Sequence, residues 1–127
     1  RNFTEFDATQ LSADGVTDDS RFFVAYYNVS ANLWDWARDS YGDGTSTPYQ
    51  IVVEPSTNSA YIAGYNTGRE EWDGGAFQSN PQSTYAGFVV KYTDDGTFLW
   101  GQNTAGQSCF GGSCGVYFNN IIIFLYF

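Results

Sequence analysis

Two stretches of this chain carry one pattern. "FVAYYNVSANLW", Phe23 to Trp34, returns as "FVVKYTDDGTFLW", Phe88 to Trp100, with one residue inserted. Each copy alternates side-chain character, breaks at a polar turn and resumes toward a Trp, which is the signature of a β-hairpin. In the second copy Asp94-Asp95-Gly96 makes the turn, since Asp-Gly takes the positive φ values of a tight hairpin. Residues Asn28 to Asn32 do this in the first copy. A glycine-rich stretch follows each hairpin, "DSYGDGTSTP" and "NTAGQSCFGGSCG", and both read as loops. Then comes a second hairpin: "YQIVVEPSTNSAYIAGY" turns at Pro55 to Ser59, and "VYFNNIIIFLYF" turns at Asn119-Asn120.

Composition agrees with strands. Aromatics are 20% of the 127 residues, and Tyr, Phe and Trp suit half-buried pleated faces. No window keeps the i, i+3, i+4, i+7 spacing of an amphipathic helix. The expected fold is all-β: antiparallel hairpins of two propeller-blade-like repeats, forming a compact sandwich or an incomplete propeller that neighbouring subunits complete. The expected layout is an N-terminal arm or strand at 1–21 and a two-repeat β domain at 22–127. Within that domain the first repeat is 22–68, a polar insertion loop 69–85 and the second repeat 86–127.

The motifs "GFVVKYTDDGTFLWGQ" and "IVVEPSTNSAYIAGYNTG" resemble the bacterial β-propeller repeat known as the SBBP repeat. Phe88, Val89, Lys91, Tyr92, Gly96, Leu99 and Trp100 carry the first half of that pattern; Ile51, Val52, Val53, Tyr61, Ile62 and Gly64 carry the second. The resemblance implies blade-like hairpins and brings no catalytic residues with it. A closed propeller needs about four to eight blades, whereas this chain supplies two repeats.

The run Ile121, Ile122, Ile123, Phe124, Leu125, Tyr126, Phe127 is apolar at every position, so both faces of the strand it forms should be covered. Seven apolar residues are too few for a spanning helix, which needs about 20. The run carries neither the charge nor the proline that usually blunts an exposed edge, so it is the expected assembly strand, reaching a second copy of the chain. Packing inside its own subunit is the competing reading.

Charge and cysteines narrow the setting. A formal charge of −9, from 14 acidic and 5 basic residues, opposes nucleic acid and anionic membranes. Cys109 and Cys114 flank Phe110-Gly111-Gly112-Ser113, and that short loop fits a local disulfide better than two free thiols or a metal. Asn2-Phe3-Thr4 and Asn28-Val29-Ser30 are N-glycosylation sequons, so glycans on Asn2 and Asn28 and an extracellular or cell-surface location are expected. Arg1 in place of Met reads as a processed or partial product.

Enzyme chemistry finds little footing. The chain has no His, which excludes Ser-His-Asp machinery. Glu70, Glu71 and Asp73 beside Trp72 resemble a glycosidase acid pair only weakly, because adjacent acids in a glycine-containing loop are commonly just solvated. Trp36, Tyr41 and Trp72 are the rings on which a sugar would stack, and Asp39 and Asp43, like Asp14, Asp18 and Asp19, are carboxylates in turns that calcium would use. The expected function is a secreted, glycosylated structural subunit that self-assembles into an extracellular fibre through strand edges. The alternative is an extracellular carbohydrate-binding β module, a fragment of a larger propeller.

Overall fold

The computed structural model describes residues 3–6, 9–12, 22–42, 44–79, 86–103, 113–118 and 121–126. In chain order the strands are β1 (Phe3–Phe6), β2 (Thr9–Ser12), β3 (Phe23–Asn28), β4 (Leu33–Gly42), β5 (Thr45–Val53), β6 (Ala60–Thr67), β7 (Glu70–Trp72), β8 (Phe77–Ser79), β9 (Ala86–Tyr92), β10 (Phe98–Asn103), β11 (Ser113–Phe118) and β12 (Ile121–Tyr126). One 3-10 turn, Asp73–Gly75, joins β7 to β8. No α-helix occurs among the described residues, and no helix there is long and apolar enough to cross a membrane.

The turns that join these strands are built from the residues that signalled them. Between β3 and β4, Asn28 Oδ1 accepts the Ala31 amide at 3.1 Å and Asn32 takes φ 55°. Between β9 and β10, Gly96 takes φ 78° while Thr93 and Thr97 close the loop through the Thr93 amide and the Thr97 carbonyl at 2.9 Å. Between β5 and β6, Asn58 takes φ 53° and its amide reaches the Glu54 carbonyl at 2.8 Å.

Two four-stranded antiparallel sheets form the body, in the orders β3-β4-β7-β8 and β10-β9-β6-β5. Successive hairpins alternate between them: β3-β4 in the first sheet, β5-β6 in the second, β7-β8 in the first, β9-β10 in the second. The all-β sandwich is therefore the architecture, and no closed propeller is present among the described residues. The blade reading needs correction on one point. The two hairpins of the first repeat do not share a sheet, because β4 pairs with β7 and β5 pairs with β6.

That division is made at a corner. β4 ends at Gly42 in one sheet and β5 begins at Thr45 in the other, beside the similar passage from β6 to β7, so Gly42 pairs with Glu70 and Thr45 with Thr67. A Cβ on Gly42 would lie 2.0 Å from the Arg69 carbonyl oxygen, and one on Gly44 would lie 1.6 Å from that of Thr67. Only glycine lets the two backbones approach this closely. "DSYGDGTSTP", expected as a loop, is in fact strand, corner and strand. The expected insertion loop is likewise structured in part: Glu70 and Trp72 point inward from β7 and are fully buried, which anchors the first sheet.

The core fills the space between the sheets. Phe22, Val24, Trp36 and Trp72 meet Ala60, Ile62, Phe88, Val90 and Tyr92. Trp72 lies 4.9 Å from Phe88, Phe22 lies 5.5 Å from Phe88, and Trp36 lies 6.1 Å from Tyr92, centroid to centroid. Each such ring buries roughly 150–250 Å², worth on the order of 4–6 kcal/mol against water.

Two short hairpins flank the body. β1 pairs with β2 and lies beside β4, so the N-terminal arm is a hairpin in its own right. β11 pairs with β12, Phe118 opposite Ile121, and the pair lies beside β9 and β6; the expected turn at Asn119-Asn120 falls outside the described residues. Ala63 and Val89, opposite each other in the second sheet, alternate with the core-facing residues yet are buried. They face away from the first sheet, and the terminal hairpin lies beside the two strands that carry them.

Candidate functional site: an uncharged sheet edge

Among the described residues β5 ends its sheet, and its sequence puts no charge on that edge. The strand holds no charged residue from Thr45 to Val53. Pro48 to Val53 are all exposed, Ile51 by 55% and Val53 by 53%. Ile51 pairs with Ile62 and Val53 with Ala60, both core residues, so Ile51 and Val53 stand on the core-facing side of the sheet. Among the described residues no strand continues the sheet beyond them, and they are exposed. Tyr49 is bulged out of the ladder, where Pro48 pairs with Gly64 and Gln50 with Ala63, and its ring meets Tyr65 at 5.6 Å.

The first sheet ends nearby in β3. Between the two end strands runs an open cleft of about 360 Å³ lined by Phe22, Phe23, Val24 and Ala25 on the side of the first sheet and by Pro48 to Ile51 and Ile62 on the side of the second. None of these residues is charged, in a chain with 14 acids and 5 bases. An end strand presents outward N–H and C=O groups, and proteins usually protect it with charge, proline or a covering element. Among the described residues the protection within the strand itself is Pro48.

Charge resumes at the end of β5. Glu54 accepts the Thr57 hydroxyl at 2.8 Å and lies 3.4 Å from Lys91 Nζ, which stands 4.6 Å over the Tyr61 ring. The Thr57 hydrogen bond, with the Lys91 charge, holds the Glu54 carboxyl below its ordinary pKa. Lys91 is held above its own, chiefly by the Tyr61 hydroxyl. Val52, Tyr61, Lys91 and Trp100 make one row across the sheet, and Tyr61 meets Trp100 edge-on at 6.1 Å. A charged, hydrogen-bonded patch thus borders the uncharged edge.

The residues singled out from sequence fall in several places. Ile121 to Tyr126, in the run expected as the assembly strand, form β12, which pairs with β11 along one edge and lies beside β6. Phe127 lies outside the described residues, as do Asn2, Asp43, Cys109, Asp14, Asp18 and Asp19. Cys114 is on β11 by its backbone. Asn28 is at the end of β3, its amide donating to Asp35 at 3.0 Å. Asp39 is on β4 opposite Phe23. No group of three or more metal-ligating side chains occurs among the described residues.

Two of the three sugar-stacking rings are displaced from that role. Trp72 is 0% exposed and Trp36 5%, both in the core, because each alternates onto the inner face of a strand. Tyr41 is exposed. The acid pair also separates: Glu70 is buried, whereas Glu71 pairs with Arg69 and accepts Gln78 at 3.1 Å. Sequence reasoning passed over Ile51, Val52 and Val53 as edge residues. The available signal was a nine-residue strand with no charge and one proline.

No protein-family model matches the chain, and no curated protein and no solved structure matches it.

Proposed function

We propose that this chain is a secreted, glycosylated structural subunit whose copies join through sheet edges into an extracellular fibre. The observation that carries the reading is the exposed, uncharged β5 edge, with Ile51, Val52 and Val53 in solvent. Such an edge accepts another strand by β-augmentation, where main-chain hydrogen bonds hold the contact and side-chain rows give it specificity. The sequons at Asn2 and Asn28 and the pair Cys109 and Cys114 support the extracellular setting. The resemblance to the SBBP repeat supports the hairpin architecture and no activity. The contact this reading places on β5 joins one pair of copies, through an edge whose Ile51, Val52 and Val53 are exposed.

The test compares the full chain with an Ile51→Lys variant by light scattering and negative-stain microscopy. Ile51 is exposed, so lysine there folds without burying its charge, and it places a cation in the middle of the edge. Assembly by the parent chain that is lost in the variant is the expected result. A parent chain that stays monomeric at high concentration overturns the reading.

A further inference from the structure

Resting on that self-association, we infer that the occupant of the β5 edge is β5 of a second copy, antiparallel about a two-fold axis at Ile51. Three observations on the strand select this arrangement.

The first is where the usable edge begins and ends. Pro48 has no N–H to donate, and Glu54 carries a charge fixed by Thr57 and Lys91. With the axis at Ile51, residue 48 of one copy falls opposite 54 of the other, so both disruptive residues lie at the ends. Moving the axis to residue 50 sets Pro48 opposite Val52 inside the ladder; moving it to residue 52 sets Glu54 opposite Gln50. Ile51 is the residue-centred axis that leaves the ladder clear.

The second is which side each residue faces. Directly opposed residues in an antiparallel pair stand on the same side of the sheet, and a slip of one residue exchanges the sides. An axis through Ile51 sets Ile51 against Ile51, both on the core-facing side, and Gln50 against Val52 on the other. The apolar row from Ile62 through Ile51 then continues unbroken into the second copy. A half-step in register would place Ile51 against Val52 and turn one core-facing row onto the outside of the other.

The third is charge. A second copy carries −9 as well, so two copies repel except where neither presents charge. The strip from Thr45 to Val53 is such a place, and the facing strand β3, Phe23 to Asn28, is uncharged too. The product is a closed, isologous dimer with a continuous eight-stranded sheet. It makes the dimer the repeating unit of the fibre and assigns fibre growth to a different edge.

Disulfide trapping tests the register. Residues opposed across strands have Cβ atoms about 4.5–5.5 Å apart, within reach of a bridge. An Ile51→Cys variant is expected to link to itself on mild oxidation, and a mixture of Gln50→Cys and Val52→Cys to link to each other. Val53→Cys alone should not link, its two copies being displaced by four residues, about 13 Å along the strand. Peptide mass spectrometry separates these bridges from any through Cys109 or Cys114, and light scattering on the parent chain is read alongside. Linkage at 51 and across 50–52 with loss of the linked species at 53 supports the pairing. Assembly by the parent without either linkage overturns the β5–β5 pairing while leaving self-association standing. A monomeric parent overturns both. Should Ile51→Cys fail to fold, the 50–52 mixture decides.

Discussion

Trp36 shows how one residue can be claimed by two readings. From sequence it was a ring for stacking a sugar; in the fold it locks the two sheets together. Its indole N–H donates to the Asp94 carbonyl at 2.7 Å, across from the first sheet to the turn of the second. The same ring occupies the space above Gly96, where a Cβ would come within 2.6 Å of it. Gly96 is therefore required twice, once for φ 78° and once for the indole. Gly96→Ala should lower stability by roughly 2–3 kcal/mol, combining a left-handed strain with overpacking. Urea unfolding checks this, and a Trp36→Ala background separates the causes. If the indole is the larger cause, the cost of Gly96→Ala shrinks in that background; if backbone strain dominates, the cost stays. Asp95 in the same turn has its carboxyl pKa lowered by the Thr93 and Thr97 hydrogen bonds. Its contribution is present above the unfolded pKa and is lost as acid protonates it through the lower folded value.

At the level of elements, hairpins were legible and their partners were not. Asp-Asp-Gly at 94–96 and the polar break at 28–32 announce turns through local φ preferences, and these act in any fold. Which hairpin joins which sheet depends on the corner at Gly42 and Gly44, where two backbones meet from positions about 25 residues apart. A run of Gly, Asp, Ser and Thr signals irregular chain whether it makes a loop or a corner. The corner yields a sharp expectation. Gly44→Ala should cost roughly 3 kcal/mol or more, because the opposing atom is the Thr67 carbonyl rather than a flexible side chain. Thermal unfolding followed by circular dichroism measures it, and near-parental stability would mean the strands cross less tightly. The site was legible only in part for a similar reason. The terminal run and "QIVV" are both apolar, and both end a sheet, β12 beside β11 and β5 beside β6; that Ile51 to Val53 stand in solvent follows from the tertiary arrangement, which apolar character alone does not reveal.

For the whole molecule, charge and edge act in opposition. Fourteen acids against five bases repel a second copy at distance, while the contact itself holds no charge from Thr45 to Val53. Salt screens the first and leaves the second nearly untouched: the Debye length falls from about 30 Å at 0.01 M to about 8 Å at 0.15 M ionic strength. Self-association through β5 should therefore tighten as salt is added over this range. Sedimentation velocity at matched protein concentrations reads the shift, with Ile51→Lys as the control for contact through this edge. A contact carried by ion pairs, such as one through Glu54 and Lys91, would respond in the opposite sense, weakening as its attraction is screened. Tightening in the parent and its absence in Ile51→Lys would locate the contact on the uncharged strand; weakening would move it to the charged border beside the strand.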